Sequence, residues 1–196
     1  MGLLRLFLPR WARRLLWLVV VALVMSVVVG RLFVWPGSSL TRRADAIVMF
    51  QGGEGERLDK VMELLDSGVA RVAIIPEGHF MGLPELCGPH DGYEIVCGSP
   101  AVATTAGEAA FFAAVAELRG YDTLAFVTSS YHVSRAGHEL RTCFDGEVEQ
   151  VPAWPSIGLG LWVARVTHEG VGVFEQTFRR GCPSPGWMMD GTPAGG

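Results

Sequence analysis

The stretch TLAFVTSSYHVSRAGHEL, residues 123–140, decides the fold class. Its first part is a short apolar run, typical of a buried strand, which gives way to small polar residues at Thr128. A helical pattern then begins near Tyr131 and includes His132 and Arg135. A buried strand that runs directly into a helix, with charged groups at the junction, is typical of the ligand-binding edge of an α/β protein.

The rest of the chain after residue 44 repeats this alternation. Apolar runs predict buried strands, and apolar residues spaced three and four apart predict helices. The predicted strands are 45–50, 71–78, 123–129 and 146–153, and the predicted helices are 55–68, 104–120, 131–144 and 159–180. This order predicts a Rossmann-like doubly wound fold with a mainly parallel sheet. Gly170 and Gly172 weaken the prediction of the last helix, because glycine has a low helix propensity.

The connection from Phe80 to Pro100 is long for an α/β domain. It is rich in glycine, and both a cover over a pocket and a simple surface excursion fit this composition. At the other end of the domain, residues 183–196 lack any period and are predicted to be a disordered tail. The folded α/β domain is therefore expected to span residues 44–182.

The N-terminal region predicts a membrane helix. Residues 15–35 are apolar apart from Arg31, and their number is close to the about 20 residues that span a bilayer core. Residues 1–14 form a short basic segment, and the positive-inside rule places it in the cytoplasm. Arg42 and Arg43 lie on the far side together with Arg31 and reduce this asymmetry. A cleaved signal peptide is the alternative, although no small-x-small cleavage site follows the apolar run.

The charge divides sharply between these two parts. Residues 1–43 contain seven Arg and no acidic residue, whereas residues 44–196 contain nine Lys and Arg against twenty Asp and Glu, a formal charge of about −11. An acidic domain repels polyanions, so nucleic acid is not expected as a partner. The expected location is the plasma (inner) membrane, with a single-pass anchor and an extracytoplasmic C-terminal domain.

The four cysteines agree with an extracytoplasmic location. We expect two disulfides, Cys87 with Cys97 and Cys143 with Cys182, which is one of three possible connectivities. Four reduced core cysteines are the alternative. No CxxC motif or Cys/His cluster indicates zinc, so no metal site is predicted.

Polar residues follow the first three predicted strands. Residues 51–57, QGGEGER, come after the first, and Glu77, Gly78 and His79 come after the second. A glycine-rich turn at a helix N-terminus can bind a phosphate, with Arg57 as a forked donor. An ordinary turn followed by a solvated arginine is an equally good interpretation.

The third cluster contains Ser129, His132 and Arg135. The last two are three positions apart and share one helix face, so a titrating imidazole and a fixed positive charge can act on one ligand. Helix capping by a serine and a surface ion pair of Arg135 form the alternative. In the second helix, Thr105 and Glu108 have the spacing of a capping box and can also face the pocket.

These motifs resemble the YdcF, SanA and ElyC family of bacterial proteins, a domain of unknown function. The likeness covers about residues 44–153 and is carried by ADAIVMFQGGEGER, TTAGEA and, most specifically, TSSYHVSRA. The departures are Pro76-Glu77-Gly78 in place of Ser-Gly-Gly and a TAGEA helix start, which contains Glu108, in place of Thr-x-Glu-Asn. Carried over by position, the pocket residues are Gly52, Gly53, Arg57, Thr105, Glu108, Ser129, His132 and Arg135.

The resemblance implies a Rossmann-like domain, often tethered to the inner membrane, with a part in envelope biogenesis or maintenance. It supplies no established reaction and leaves the cofactor unknown. The first hypothesis is a metal-independent hydrolase or transferase for a phosphate-bearing, lipid-linked envelope intermediate, in which His132 acts as acid or base and Arg57 and Arg135 stabilise charge. The second is a ligand-binding or scaffold protein with protein partners at the membrane, S-adenosylmethionine or a nucleotide being further ligands to consider.

Overall fold

The computed structural model describes residues 9–40, 43–53, 55–77, 84–176 and 181–184. Its first element is a long helix, α1 (Arg10–Val29), which continues as a π-helical segment, Gly30–Val34. The combined span Arg10–Val34 has 25 residues, a mean hydropathy of 2.5 over its most apolar window, and no burial of that window inside the protein. An apolar helix long enough to cross a bilayer is therefore present where the composition predicts one.

The domain that follows is a mostly parallel α/β structure of six strands and four further helices, counted over the described residues. The strands are β1 (Ala46–Met49), β2 (Val72–Pro76), β3 (Gly88–Pro89), β4 (Glu94–Gly98), β5 (Thr123–Ser129) and β6 (Glu147–Ala153). The helices are α2 (Glu56–Asp66), α3 (Thr105–Arg119), α4 (Val133–Cys143) and α5 (Leu159–Gln176). The predicted fold class is confirmed.

The strand order is β3-β4-β2-β1-β5-β6, with β3 antiparallel to β4 and the other pairs parallel. From β1 the chain winds outward through β2 to β4, and α3 then returns it to the other side of β1, where β5 pairs. The direction of winding thus reverses between β1 and β5. At such a switch point the loops leave the sheet in opposite directions and open a crevice at the carboxyl ends of the strands.

Helices cover both faces of the sheet. On one face Phe50, Phe112 and Phe126 form a fully buried aromatic group beneath α3 and α4, with the ring centroids of Phe50 and Phe112 5.1 Å apart. On the other face α2 packs through Val61 and Leu65. These two apolar layers fix the strands and hence the loops at their carboxyl ends.

The connection 80–100 contains two strands, β3 and β4, that the sequence pattern did not predict. Residues 78–83, which include His79, lie outside the described residues, but β4 is a strand of the sheet that pairs with β2 from Val72 to Pro76. The strand was missed because Cys97 and the short apolar run around it follow a glycine-rich, polar stretch. The Cys87–Cys97 disulfide closes this lobe with a Cα–Cα distance of 5.7 Å.

The second predicted disulfide is also present and joins Cys143 at the end of α4 to Cys182, with a Cα–Cα distance of 4.9 Å. The described residues contain no free cysteine. Helix α5 continues through both glycines to Gln176, while the last four positions of the predicted helix lie outside the described residues. The same holds for the predicted disordered tail beyond residue 184.

The segment between the apolar helix and β1 lies along the edge strand β6. The backbone N–H of Gln150 donates to Ser39 Oγ at 2.7 Å, the N–H of Ser39 donates to the Gln150 carbonyl at 3.1 Å, and the Gln150 amide donates to the Gly37 carbonyl at 2.6 Å. An otherwise open strand edge is thereby covered. The same contacts hold the chain that follows the apolar helix against the domain.

Candidate functional site

A cavity of about 430 Å³ lies at the switch point, beyond the carboxyl ends of β1 and β5. Strand β5 runs into a 3-10 turn, Ser130–His132, and then into α4, so its end delivers side chains into the crevice. The lining residues are Gln51, Gly52, Gly53, Arg57, Ala103, Thr104, Thr105, Glu108, Tyr131, His132, Arg135, Arg165, His168 and Glu169.

Arg57 is buried and holds the first loop in place. Its Nε donates to Ser129 Oγ at 2.8 Å, and its Nη1 donates to the carbonyl oxygens of Phe50, at 2.9 Å, and of Gln51. Burial lowers the pKa of Arg57, whereas Tyr131, Glu56 and Glu108 act to raise it. Nε and Nη1 are thus engaged inside the protein, and Arg57 also lines the cavity.

The glycine-rich turn adopts a backbone conformation with positive φ, which favours glycine. Gly52 has φ +99° and Gly53 has φ +83°, a region that residues with a Cβ rarely adopt. A Cβ on Gly52 would lie 3.5 Å from Arg57 Nη1. Glu56 accepts a hydrogen bond from Ser129 Oγ. The turn and the end of β5 are therefore joined by an Arg57–Ser129–Glu56 network.

His132 is buried and paired with a carboxylate. Its Nδ1 lies 2.7 Å from Glu169 Oε2 on α5, and its ring meets Phe50 edge-on with centroids 6.2 Å apart. Burial lowers the pKa of His132, and the charges of Arg57 and Arg135 lower it further, against the opposing effect of Glu169. The imidazole is thus neutral at neutral pH, with Nδ1–H donating to Glu169. Among the described residues no side chain hydrogen-bonds its Nε2.

Arg135 forms an ion pair with the same carboxylate, that of Glu169. Its Nη1 is 3.5 Å from Glu169 Oε2. Burial acts to raise the pKa of Glu169, but the hydrogen bond from His132, together with Arg135 and His168, holds it below its ordinary value. Gly172 makes the arrangement possible, since a Cβ there would lie 3.0 Å from Arg135 Cδ. The glycine that weakens the helix prediction is the one that lets α5 approach this arginine.

Glu108 faces the cavity from α3. Its Oε1 accepts the backbone N–H of Gln51 at 3.0 Å. Burial raises its pKa from 4.5 to about 7, although Gln51, Arg57 and Arg135 act to lower it. The expected capping box is wrong: the N-cap of α3 is Thr104, whose side chain accepts the N–H of Gly107 at 3.1 Å. Glu108 is free of the cap because Thr104 already satisfies the helix N-terminus.

The cavity thus holds two titratable groups whose environments push them in opposite directions. His132 is an unprotonated base at neutral pH, and about half of the Glu108 carboxyls carry a proton there. Such a pair can accept a proton at one atom of a ligand and supply one at another. Arg57, Arg135 and Arg165 line the same cavity and add positive charge for an anionic group.

The structure brings together nearly all the side chains that the sequence singled out. Gly52, Gly53, Arg57, Thr105, Glu108, His132 and Arg135 line the cavity. Ser129 is fully buried and acts on Arg57 rather than on the cavity. Glu77 stands apart, where its carboxylate accepts Ser99 Oγ at 3.2 Å.

Sequence reasoning missed the contribution of α5. Glu169, Arg165 and His168 reach the cavity from a helix about 30 residues after the specific motif. The available signal was Glu169, the single acidic residue of the largely apolar stretch 159–174, since a carboxylate is seldom placed in such a helix unless it is paired.

Among the described residues no group of three or more His, Cys, Asp or Glu is placed to hold a metal ion. Comparison of the chain with protein-family models, curated proteins and solved structures gave no match. Fold and site define an α/β protein with an N-terminal apolar helix, two disulfides and a buried acid–base pair beside arginines at the switch point.

Proposed function

We propose that this protein is a membrane-anchored, extracytoplasmic enzyme that hydrolyses or transfers a phosphoryl group of a lipid-linked envelope intermediate. The observation that carries the proposal is the pairing of His132 with Glu169 beside Arg135 and Glu108 in one cavity. The likeness of TSSYHVSRA to the YdcF, SanA and ElyC family supports the link to the cell envelope.

The roles follow from the protonation states. In hydrolysis, His132 Nε2 takes a proton from a water molecule, whose oxygen attacks phosphorus. The bond from phosphorus to the leaving oxygen breaks, and protonated Glu108 supplies the proton that this oxygen needs. Arg135 and Arg57 stabilise the charge on the phosphoryl oxygens. Proton exchange with water then restores His132 and Glu108, and in transfer an acceptor hydroxyl replaces the water.

The anchor and the location have support of their own. Phe33, at the end of the apolar helix, is buried against the domain, and Ser134 Oγ donates to the Leu32 carbonyl at 2.9 Å. A segment destined for removal by signal peptidase has no reason to complete the packing of the mature domain, so an uncleaved anchor is favoured. Two disulfides are typical of an oxidising compartment outside the cytoplasm.

The test is phosphate release from a prenyl phosphate by the purified full-length protein in detergent. We expect His132→Ala to lower kcat by at least about 100-fold, because it removes the general base. Arg135→Ala should weaken binding by about 2 kcal/mol, because it removes one member of a partly buried charged pair. The matched control is His138→Ala, an exposed histidine on the same helix, which should leave both quantities unchanged.

Full turnover by His132→Ala would contradict the catalytic role. Ligand binding without turnover by the unaltered protein, abolished by Arg135→Ala, would instead establish a binding protein, the second hypothesis from the sequence. One observation favours that hypothesis. The Arg57 donors Nε and Nη1 hydrogen-bond to Ser129 and to the loop, so they are not directed at a reacting group.

A further inference from the structure

Helix α5 presents an apolar face to the outside of the domain. Leu159, Val163, Val171 and Phe174 are 82%, 59%, 56% and 66% exposed. Their positions bring them to one side of the helix, at an angle to the side that carries Glu169. Scattered exposed apolar residues are normal on protein surfaces, but a continuous helix face of this kind marks an interaction surface.

This outer face carries no charge among the described side chains of α5. Glu169 points inward to His132, and Arg165 and His168 line the cavity. The inner side packs on the domain through Trp162, whose ring meets Tyr131 edge-on with centroids 6.1 Å apart. The helix is therefore fixed to the 3-10 turn of the site by one side and has its apolar side turned away.

The same turn touches the end of the membrane helix. The π-helical segment Gly30–Val34 contacts both the 3-10 turn Ser130–His132 and α4, and α5 contacts the same two elements. Residues 15–34 supply the about 20 residues that a bilayer core requires. Val34 then lies at the outer edge of the hydrocarbon, and the turn that bears His132 lies at the level of the lipid headgroups.

An exposed tryptophan on the chain segment that leads into α5 lies close to the end of the membrane helix. Trp154 is 52% exposed and lines a groove with Pro36, which follows the membrane helix directly. Trp35 is itself 67% exposed. Indole rings favour the membrane interface, where one side is apolar and the N–H reaches water.

We infer that the outer face of α5 rests in the headgroup region of the bilayer, as a second membrane contact beside the spanning helix. An apolar helix face in that position is buried about 5–10 Å into the boundary between headgroups and acyl chains. The cavity then opens beside the membrane surface, and the phosphate that it receives belongs to a lipid headgroup. The inference rests on the membrane anchorage proposed above, and it names the source of the substrate.

A fluorescent label measures this contact directly. The full-length protein carrying Val163→Cys, labelled with bimane, is reconstituted into phosphatidylethanolamine and phosphatidylglycerol vesicles that contain nitroxide lipids. The native cysteines are engaged in disulfides, so the new thiol takes the label. We expect quenching by the nitroxide lipid and protection from iodide. The matched control is Leu118→Cys, another exposed apolar position (65%), which lies at the end of α3 remote from the cavity and should show the opposite pattern.

A Val163 label that iodide quenches as strongly as the Leu118 label, without quenching by the nitroxide lipid, would overturn the inference. Energy transfer between labels on two copies, in place of lipid quenching, would also overturn it and assign the face to self-association. Neither readout needs turnover, so the label tests α5 even if the proposed reaction is wrong.

A second variant links the contact to the substrate. Val163→Asp with Val171→Asp places charges on the outer face without touching the cavity. Hydrolysis of a prenyl phosphate embedded in vesicles should fall severalfold, while hydrolysis of a water-soluble short-chain phosphate stays unchanged. Equal loss with both substrates and an unchanged melting temperature would contradict lipid delivery through α5. Absence of turnover by the unaltered protein would count against the proposed function and leave the label experiment to decide the membrane contact.

Discussion

Two cavities lie at opposite ends of the strands, and the larger one is not the candidate site. The larger has a volume of about 650 Å³ and lies beside the Cys143–Cys182 disulfide, near the residues that precede β5 and β6. Its acidic side chains, Glu117, Asp122 and Asp145, are exposed to water. The smaller cavity, of about 430 Å³, has four buried charged or titratable side chains in its lining, Arg57, Glu108, His132 and Glu169.

The difference teaches that buried charge marks a functional site better than volume does. Desolvation of Arg57, Glu108, His132 and Glu169 costs free energy, which their mutual contacts offset only in part. The raised pKa of Glu108 and the lowered pKa of His132 are both caused mainly by this desolvation. Exposed carboxylates around the larger cavity bear no such cost, so we assign that end of the sheet to stability.

The largest expected effect on stability is at the disulfide end. Cys143→Ser with Cys182→Ser removes a link between residues 39 positions apart. It should lower the free energy of unfolding by roughly 3–4 kcal/mol, because the unfolded chain gains the entropy of an open loop. Urea denaturation of the full-length protein in detergent measures this change. Loss of phosphate binding in the folded double variant would contradict the assignment of the disulfide end to stability alone.

An intermediate effect is expected from Glu108→Gln. The folded-state pKa of about 7 exceeds the ordinary value of 4.5, so the folded protein favours the protonated carboxyl. Its contribution to stability is complete below pH 4.5 and is lost as the pH rises through about 7, by up to about 3 kcal/mol. Glutamine still accepts the Gln51 N–H but does not titrate.

The measurement is the melting temperature of the Glu108→Gln variant and of the unaltered protein between pH 4.5 and 8. The variant should lose less stability than the unaltered chain across this window, and the descending limb of activity near pH 7 should be absent because the general acid is gone. The matched control is Ala113→Leu, in the larger cavity, which should keep the pH dependence of the unaltered chain. A control variant that also loses this dependence would place the titrating group elsewhere.

The smallest effect is expected from Gly172→Ala. The added Cβ lies 3.0–3.2 Å from the Arg135 side chain and must displace it, so ligand affinity should fall by about 1 kcal/mol. Gly170→Ala is the matched control, since nothing lies within 4 Å of its Cβ. It should gain about 0.5–1 kcal/mol of helix stability with unchanged affinity. Isothermal titration with a prenyl phosphate measures the affinity of each variant. Equal affinities would show that Gly172 does not position Arg135 for the ligand.

Much of the fold could be predicted from local pattern. Residues 123–129 were predicted as a strand with the bounds that β5 has, because a continuous apolar run flanked by polar residues fits a strand buried on both faces. The strand Glu94–Gly98 was missed, since its place in the sheet depends on pairing with β2 and on the Cys87–Cys97 link. The capping of α3 was misplaced by one residue because Thr104 and Thr105 both suit an N-cap.

The sequence by itself determined the α/β class and the apolar helix, together with the side chains that follow the first and third predicted strands. These features depend on residues that are neighbours in the chain or repeat with a fixed period. The tertiary structure decided that Cys143 pairs with Cys182, that Glu169 meets His132 and Arg135, that Arg57 meets Ser129, and that α5 and the π-helical segment Gly30–Val34 both contact the turn Ser130–His132. Such contacts join residues tens of positions apart, so packing of complete helices on the sheet had to bring them together.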